Sequence, residues 1–388
     1  MGSDSEARGT PTQDATQSEV VAPRGQATPR VDTAASGVFP ASPATRAEEP
    51  EPRYELRGEV ARGGLGRILR AYDRQLDREV ALKELLRSSH RAEERFLREA
   101  LITAKLQHPS IVPVYDAGLK PGGEPYYAMK LVSGRPLSQA ISDAGSLDGR
   151  LALLPQVIAV CDAVAYAHSR GVIHRDLKPQ NVIVGEFGET VVIDWGLAKD
   201  LGAVAAGSDA GEEPAATARG PLFDETAEGA VMGTPAYMPP EQALGRPVDE
   251  RADVYSLGAI LYHLLAGEPP YAGGPSKEIL ARVVGGPPAP LSAPGIPADL
   301  RALVEKAMAR EPEARYRAAG ELAGELRRFG AGQLVGVYRY SAAERLLRFA
   351  RRNLAAVSIA AAALLLLAAV GGASLARVLA EQAATRPR

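Results

Sequence analysis

The residues best able to do chemistry lie in VIHRDLKPQNVIV, Val172 to Val184. An apolar approach there delivers His174, Arg175, Asp176, Lys178 and Asn181. The next segment, ETVVIDWGLAK, carries a short apolar strand that ends at Asp194. VIV and VVI around the turn GEFGE read as an antiparallel hairpin. In such a hairpin the first residue of one strand lies beside the last of the other, so Asn181 and Asp194 meet at one end. Two oxygen donors converging on one point suit Mg²⁺, a hard ion usually shared with substrate phosphates. Asp176, five residues before Asn181, is close enough to face the same point. A plain solvated loop explains neither the flanking apolar strands nor Lys178, in a chain with only 8 Lys against 37 Arg.

A second group lies upstream. ARGGLGRI, Ala61 to Ile68, holds Gly63, Gly64 and Gly66 between two strand candidates. Missing Cβ atoms let backbone amides approach a phosphate, although such clusters also mark ordinary tight turns. Lys83, in VALKE, sits 17 residues beyond Gly66 on an apolar strand candidate. Its ammonium needs a partner or water. Glu99, on the polar side of the following helix, is the candidate partner.

These residues require elements to hold them. Tyr54 to about Met129 reads as short strands with one helix. The strand candidates are LRGEV, ILRAYD, EVALKEL and the pair IVPVYDAG and YYAMKLV around KPGGEP. The helix AEERFLREALITAKLQ places Phe96, Leu97, Ala100, Leu101 and Ala104 at helical spacing, with charges opposite. After Gly134 the pattern turns helical, in LALLPQVIAVCDAVAYAHS, DVYSLGAILYHLL and ADLRALVEKAMA. A strand-rich lobe followed by a helix-rich lobe predicts an α+β architecture with a cleft between them. Asp200 to about Val231 is small, polar and aperiodic, a long loop inside this region.

Composition bounds the rest. The chain has 388 residues, 45 Lys+Arg and 47 Asp+Glu, so no overall charge draws it to nucleic acid. A single cysteine, Cys161 in an apolar run, excludes an intramolecular disulfide framework and any cysteine-rich zinc site. Residues 1–53 hold 7 Pro, 11 Ser/Thr and one aromatic, a composition expected to be disordered and lacking the apolar core of a secretory signal. Residues 353–376 carry no charge over 24 positions. At about 1.5 Å per residue such a helix spans roughly 36 Å, enough for a hydrocarbon core of about 30 Å. Arg339, Arg345, Arg348, Arg351 and Arg352 precede it, and Arg377, Arg386 and Arg388 follow, which favours the preceding domain in the cytoplasm and a short outer tail over 377–388. Residues 331–352 form a basic juxtamembrane segment. Its part RYSAAERLLRFARRN reads either as an amphipathic helix near anionic headgroups or as a plain linker helix. Gly371 and Gly372 allow pairing of two spans, and so a dimer, without forming a clean pairing motif.

HRDLKPQN followed by DWG resembles the catalytic loop and metal-binding segment of eukaryotic-type (Hanks-type) protein kinases. Other segments follow in the family's order. ARGGLGRI is similar to the glycine-rich loop, VALK to the third-strand lysine segment, and Glu99 to its helix partner. GTPAYMPPE, Gly233 to Glu241, resembles the end of the activation segment, which the resemblance spans over 194–241. DVYSLGAILYHLLAGEPPY resembles the central helix of the C-lobe, and EPEARYRAA the closing segment. Lys178, two residues after Asp176, is the serine/threonine form, and GGLGRILRAYD is similar to membrane-anchored bacterial members. The resemblance covers 54–330 and implies a bilobal kinase fold, with an N-lobe over about 54–132 and a C-lobe over about 133–330.

The resemblance also implies roles. Val60, Ala61, Gly63, Gly64, Leu65, Gly66 and Ile68 would cover ATP. Lys83, paired with Glu99, would hold its phosphates. Met129 would be the gatekeeper, and Lys130 to Val132 the adenine hinge. Asp176 would accept the substrate hydroxyl proton, Lys178 would neutralise the γ-phosphoryl, and Asn181 and Asp194 would hold Mg²⁺. Thr234 would shape the substrate site, Glu241 would pair with Arg315, and Asp253 would brace the catalytic loop. Thr226, ahead of Thr217 and Ser208, is the first candidate for regulatory phosphorylation against Arg175. Ala61, Trp195 and Pro239 depart from the family pattern, and a catalytically silent kinase-fold scaffold at the membrane is the rival reading. The implied partners are protein Ser/Thr substrates and the bilayer, with no nucleic acid.

Overall fold

The computed structural model describes residues 52–63, 66–86, 89–200 and 235–384. The disorder expected over 1–53 therefore falls almost wholly outside the described residues.

β1 (Tyr54–Arg62), β2 (Gly66–Asp73), β3 (Arg78–Leu85), β4 (Val114–Leu119) and β5 (Pro125–Lys130) form an antiparallel sheet in the order β1-β2-β3-β5-β4. Strand side chains alternate between faces, and β3 shows the consequence. Val80 and Leu82 join Ala71 and Ala128 on one face. Ala81 lies on the other with Phe96, Tyr127 and Met129, and Lys83, two residues on, shares its side.

The helix α1 (His90–Lys105) crosses that second face, and the Ser89 side chain caps it by accepting from Ala92 N at 3.3 Å. Its orientation differs from the sequence expectation. Phe96, Glu99, Ala100, Ile102 and Thr103 are buried, whereas Leu97 and Leu101 are 44% and 65% exposed and Ala104 is also exposed. Glu99 thus lies on the packed side. Helical spacing finds two overlapping apolar stripes here, and the sheet selects the one that brings Glu99 to Lys83.

The second lobe is helical. α2 (Leu137–Asp143), α3 (Leu147–Leu151), α4 (Leu154–Ser169), α5 (Pro240–Ala243), α6 (Arg251–Ala266), α7 (Ser276–Gly285), α8 (Ala298–Ala307) and α9 (Ala319–Gly330) follow in order. Every residue of α6 from Ala252 to Leu265 is buried, so it forms the centre of this lobe. It ends at Gly267, whose φ of 84° requires a residue without Cβ while its N–H caps His263 O at 2.8 Å. Cys161 is fully buried in α4, and burial pushes its thiol pKa up, which leaves it inert.

Short strands cross the base of the cleft. β7 (Val172–Ile173) pairs with β10 (Lys199–Asp200). β6 (Arg135–Pro136), β8 (Val182–Val184) and β9 (Thr190–Val192) form a second sheet with β8 in the middle. The β8–β9 hairpin pairs Val182 with Val192, and Ile193 N donates to Asn181 O at 2.9 Å.

Two further helices close the chain, α10 (Ala342–Arg352) and α11 (Leu354–Ala384). Among the described residues two helical segments are long and apolar enough to cross a membrane. Leu147–Ser169 is 44% buried in its most apolar window and belongs to the core, whereas Leu354–Ala380 is 0% buried. The helix runs beyond the 353–376 expected from charge, because Arg377 interrupts the apolar composition without interrupting backbone hydrogen bonding.

Candidate active site

The hairpin end brings the chemical residues together. Asn181 Nδ2 donates to Asp176 O at 2.9 Å and to Asp176 Oδ2 at 3.3 Å. Lys178 Nζ donates to the same Oδ2 at 2.6 Å. Asp194 follows Ile193, whose amide is bonded to Asn181 O, so it leaves the hairpin beside Asn181. From the other lobe Lys83 Nζ donates to Glu99 Oε1 at 2.5 Å and lies 3.8 Å from Asp194 Oδ1. Lys83 pairs with Ile68 on β2 and with Tyr127 on β5, so the sheet register sets its position in the cleft.

Sequence reasoning missed several supports of this arrangement. Tyr127 Oη donates to Glu99 Oε1 at 2.7 Å, the oxygen that also takes Lys83. Burial and the neighbouring Glu99 carboxylate hold the Tyr127 phenol well above its usual pKa, so it remains a donor. Alternation in YYAMK places Tyr127 on the side of Met129, but only the β3–β5 register reveals Lys83 as its neighbour. Gly196 is a second case. A Cβ there would lie 3.1 Å from Glu99 Oε2 and 3.2 Å from Asp194 Oδ1, so a side chain would press on both carboxylates.

The loop carrying Asp176 is held from below. Asp253, fully buried in the first turn of α6, accepts from His174 N at 2.8 Å, Arg175 N at 2.9 Å and His168 Nε2 at 2.8 Å. Burial alone would raise its carboxyl pKa, but the hydrogen bond and charge of His168 and the contacts of His174 outweigh this and hold it below the usual value. Gln242 Nε2 also donates to Arg175 O at 2.9 Å. Arg175 and Asp194 have φ of 67° and 64°. Left-handed backbone at non-glycine residues costs on the order of 1–3 kcal/mol each and persists where surrounding bonds enforce it. Here the Asp253 contacts and the hairpin are that framework. Trp195 is 1% exposed and packs on His174 with ring centroids 4.6 Å apart, so the larger ring fits this position, while its buried Nε1 has no hydrogen-bond partner among the described residues.

The remaining sequence-nominated residues divide. Ile68, Met129 and Val132 belong to one apolar cluster with Ala81 and Ile193, while Lys130 is exposed at the end of β5. Val60 is 55% exposed on β1, and Ala61 pairs with Ile68. Gly63 N donates to Gly66 O at 2.8 Å, which closes the β1–β2 turn. A Cβ on Gly66 would lie 2.4 Å from Glu84 O, so close approach to β3 already requires glycine there. Gly64, Leu65, Ser208, Thr217, Thr226 and Thr234 lie outside the described residues.

The donor chemistry fits a hard cation shared with phosphate. Asn181 spends its amide nitrogen on Asp176, which leaves its amide oxygen as the other polar atom, and Asp194 adds a carboxylate that is 48% exposed. Among the described residues no group of three or more His, Cys, Asp or Glu could hold a metal by itself. An ion here would therefore draw further ligands from the phosphates, as Mg²⁺ commonly does. A cavity of about 590 Å³ lies elsewhere, lined by residues including Tyr262, Tyr271 and Arg282, and holds none of these residues.

Comparison with known proteins agrees with this geometry. Residues 54–323 match the family model described as protein kinase domain. The chain is 36% identical over 304 residues to serine/threonine-protein kinase PknD of Protochlamydia amoebophila, covering 72% of this chain and 30% of that protein. It is 38% identical over 290 residues to serine/threonine-protein kinase PknB of Mycobacterium tuberculosis, covering 72% and 43%. The match thus spans less than half the length of these curated relatives. The crystal structure of the Mycobacterium tuberculosis PknI kinase domain superposes with a TM-score of 0.52 at 26% identity, over 71% of this chain and 96% of that one. With the paired lysine and glutamate, the braced aspartate loop and the hairpin all in one cleft, the chain belongs to the Hanks-type serine/threonine protein kinase family.

Proposed function

We propose that this chain transfers the γ-phosphoryl group of ATP, with Mg²⁺, to serine and threonine hydroxyls of proteins, and does so at a membrane. The observation that carries the reading is the convergence of Lys83–Glu99, Asp194 and the Asp176–Lys178–Asn181 cluster. Lys83, oriented by Glu99, binds the α- and β-phosphates. Asp176 orients the substrate hydroxyl and accepts its proton as the oxygen attacks the γ-phosphorus. The bond from that phosphorus to the β–γ bridging oxygen breaks, and ADP leaves. The Lys178 ammonium faces the charge of the transferred group. Asn181 and Asp194 are the residues that would hold Mg²⁺, which would supply positive charge to offset that of the phosphates. Positioning and charge stabilisation are what phosphoryl transfer chiefly demands. Thr226 is the favoured site of a regulatory phosphate.

Anchoring is supported by α11, whose apolar stretch is left uncovered by the described residues. The excess of arginine before it favours a cytoplasmic catalytic domain.

The test uses the purified full chain with ATP labelled at the γ-position and a basic protein substrate. The expected result is label on serine and threonine, lost on chelation of divalent ions and restored by excess Mg²⁺. Absence of label under every condition would favour the silent scaffold.

Tyr127→Phe refines the reading, because it removes one hydroxyl and keeps the ring against Phe96, 5.1 Å away. A hydrogen bond to a charged group contributes about 1.5–3 kcal/mol, and Lys83 retains part of the hold on Glu99. A fall of about tenfold in kcat/KM for ATP is expected, corresponding to ~1.4 kcal/mol. An unchanged kcat/KM would remove Tyr127 from the positioning residues.

A further inference from the structure

The helix α10 turns its faces opposite to those of an ordinary surface helix. At about 100° per residue, Phe349, Ala342, Leu346, Ala350, Ala343 and Leu347 fill one continuous arc of roughly 160°. The polar arc is centred on Glu344 and Arg348. An amphipathic helix on a soluble domain buries its apolar arc against the core. Here the polar arc faces the protein. Arg348 forms an ion pair with the buried carboxylate of Asp299, donates to Gln333 O at 3.1 Å and lies over the Tyr340 ring at 4.8 Å. Tyr338 Oη donates to Glu344 Oε1 at 3.2 Å. Leu346, Leu347 and Phe349 point away, at 69%, 53% and 56% exposure.

The segment leading into α10 is fastened to the C-lobe. Val335 and Tyr340 are buried, Gly336 N donates to Glu325 Oε2 at 2.7 Å, and Tyr340 Oη donates to Asp299 Oδ2 at 3.1 Å. Ser341 and Glu344 then form a capping box that starts the helix. At the far end one residue, Asn353, separates α10 from α11. An 11-residue helix is only about 16 Å long, so α10 cannot leave the neighbourhood of whatever surrounds α11. Exposed Arg345 borders the apolar arc and exposed Arg352 lies next to it on the polar side, a charge pattern that favours anionic headgroups.

We propose that α10 lies in the headgroup region of an anionic bilayer with Leu346, Leu347 and Phe349 inserted, and that the Arg348–Asp299 contact holds the C-lobe against that surface. This rests on the membrane reading of α11 and adds a second lipid contact. The kinase domain is then carried on a fixed strut.

The full chain is placed in nanodiscs of phosphatidylcholine, alone or with about 30% phosphatidylglycerol. An environment-sensitive dye on Leu346→Cys reports α10, and the same dye on Leu365→Cys reports α11. Both dyes are expected to be shielded from an aqueous quencher. Quenching at position 346 should fall about fivefold further with the anionic lipid, and Arg345→Glu with Arg352→Glu should reverse that gain. Leu365 accessible to the quencher would overturn the membrane reading itself. Leu365 shielded with Leu346 accessible in both lipids would overturn the proposal alone. Shielding of Leu346 that depends on protein concentration in detergent and vanishes with one chain per disc would assign the face to a second copy, and overturn it too. Arg348→Gln tests the strut, with amide exchange over residues 333–341 expected to rise about tenfold, the opening of one charged hydrogen bond. Unchanged exchange there would overturn it.

Discussion

Asp176→Asn is expected to lower kcat by roughly 10²–10⁴-fold, the usual contribution of a positioned general base. The substitution keeps the side-chain shape and removes the group able to take the hydroxyl proton. It also weakens the 2.6 Å contact with Lys178, which then has a neutral amide oxygen in place of a carboxylate. The backbone oxygen of residue 176 still accepts from Asn181, so the loop keeps its hairpin attachment. His174 N and Arg175 N still reach Asp253. The KM for ATP and the melting temperature should therefore stay close to those of the parent. Steady-state kinetics with thermal denaturation of the same samples measures this split. A variant within tenfold of the parent kcat would remove Asp176 from the proposed chemistry.

The largest expected loss of stability is at Arg315. Its side chain is 0% exposed and donates to both oxygens of Glu241, at 2.6 and 2.8 Å. It also donates to Ala309 O at 2.7 Å, Arg251 O at 2.9 Å and Arg310 O at 3.0 Å, and stacks 5.0 Å from the Tyr255 ring centroid. Arg315→Leu would leave a carboxylate and three carbonyls without these donors in a dry site. Breaking a buried pair from one side costs about 3–5 kcal/mol, because the surviving charge is uncompensated. At about 2–4 °C per kcal/mol for a domain of this size, the melting temperature should fall by roughly 6–20 °C. The double variant Arg315→Leu with Glu241→Leu should recover part of that loss, since it removes the stranded carboxylate. Thermal unfolding of the single and double variants reads both effects. A double variant no more stable than the single would show that the orphaned carbonyls, common to both, account for the loss.

The parts of the site legible in sequence are those set by short-range geometry. Asn181 and Asp194 flank a hairpin whose turn, GEFGE, sets the register of Val182 against Val192, and the register alone puts both at one end. Lys83 is on an alternating strand, so its face follows from Ala81 two residues earlier. The apolar run of α11 needs only composition. The reading of α1 shows the limit. Leu97 and Leu101 satisfy the helical period as well as Phe96 and Ala100 do, and periodicity carries no information about which stripe meets the sheet.

Local hydrogen bonding, side-chain period and composition by themselves determined that this chain has a strand-rich lobe, a helical lobe, a charged loop before a hairpin and an apolar helix near its C-terminal end. Only the tertiary structure decided that Tyr127 holds Glu99 from 28 residues away, that His168 joins the loop amides on Asp253 from 85 residues away, and that Arg348 turns α10 inward by its charged side. The physical reason is range. A strand or helix is specified by neighbours within a few residues, whereas the partner of a buried polar group is whichever complementary group the packed core brings within about 3 Å of it.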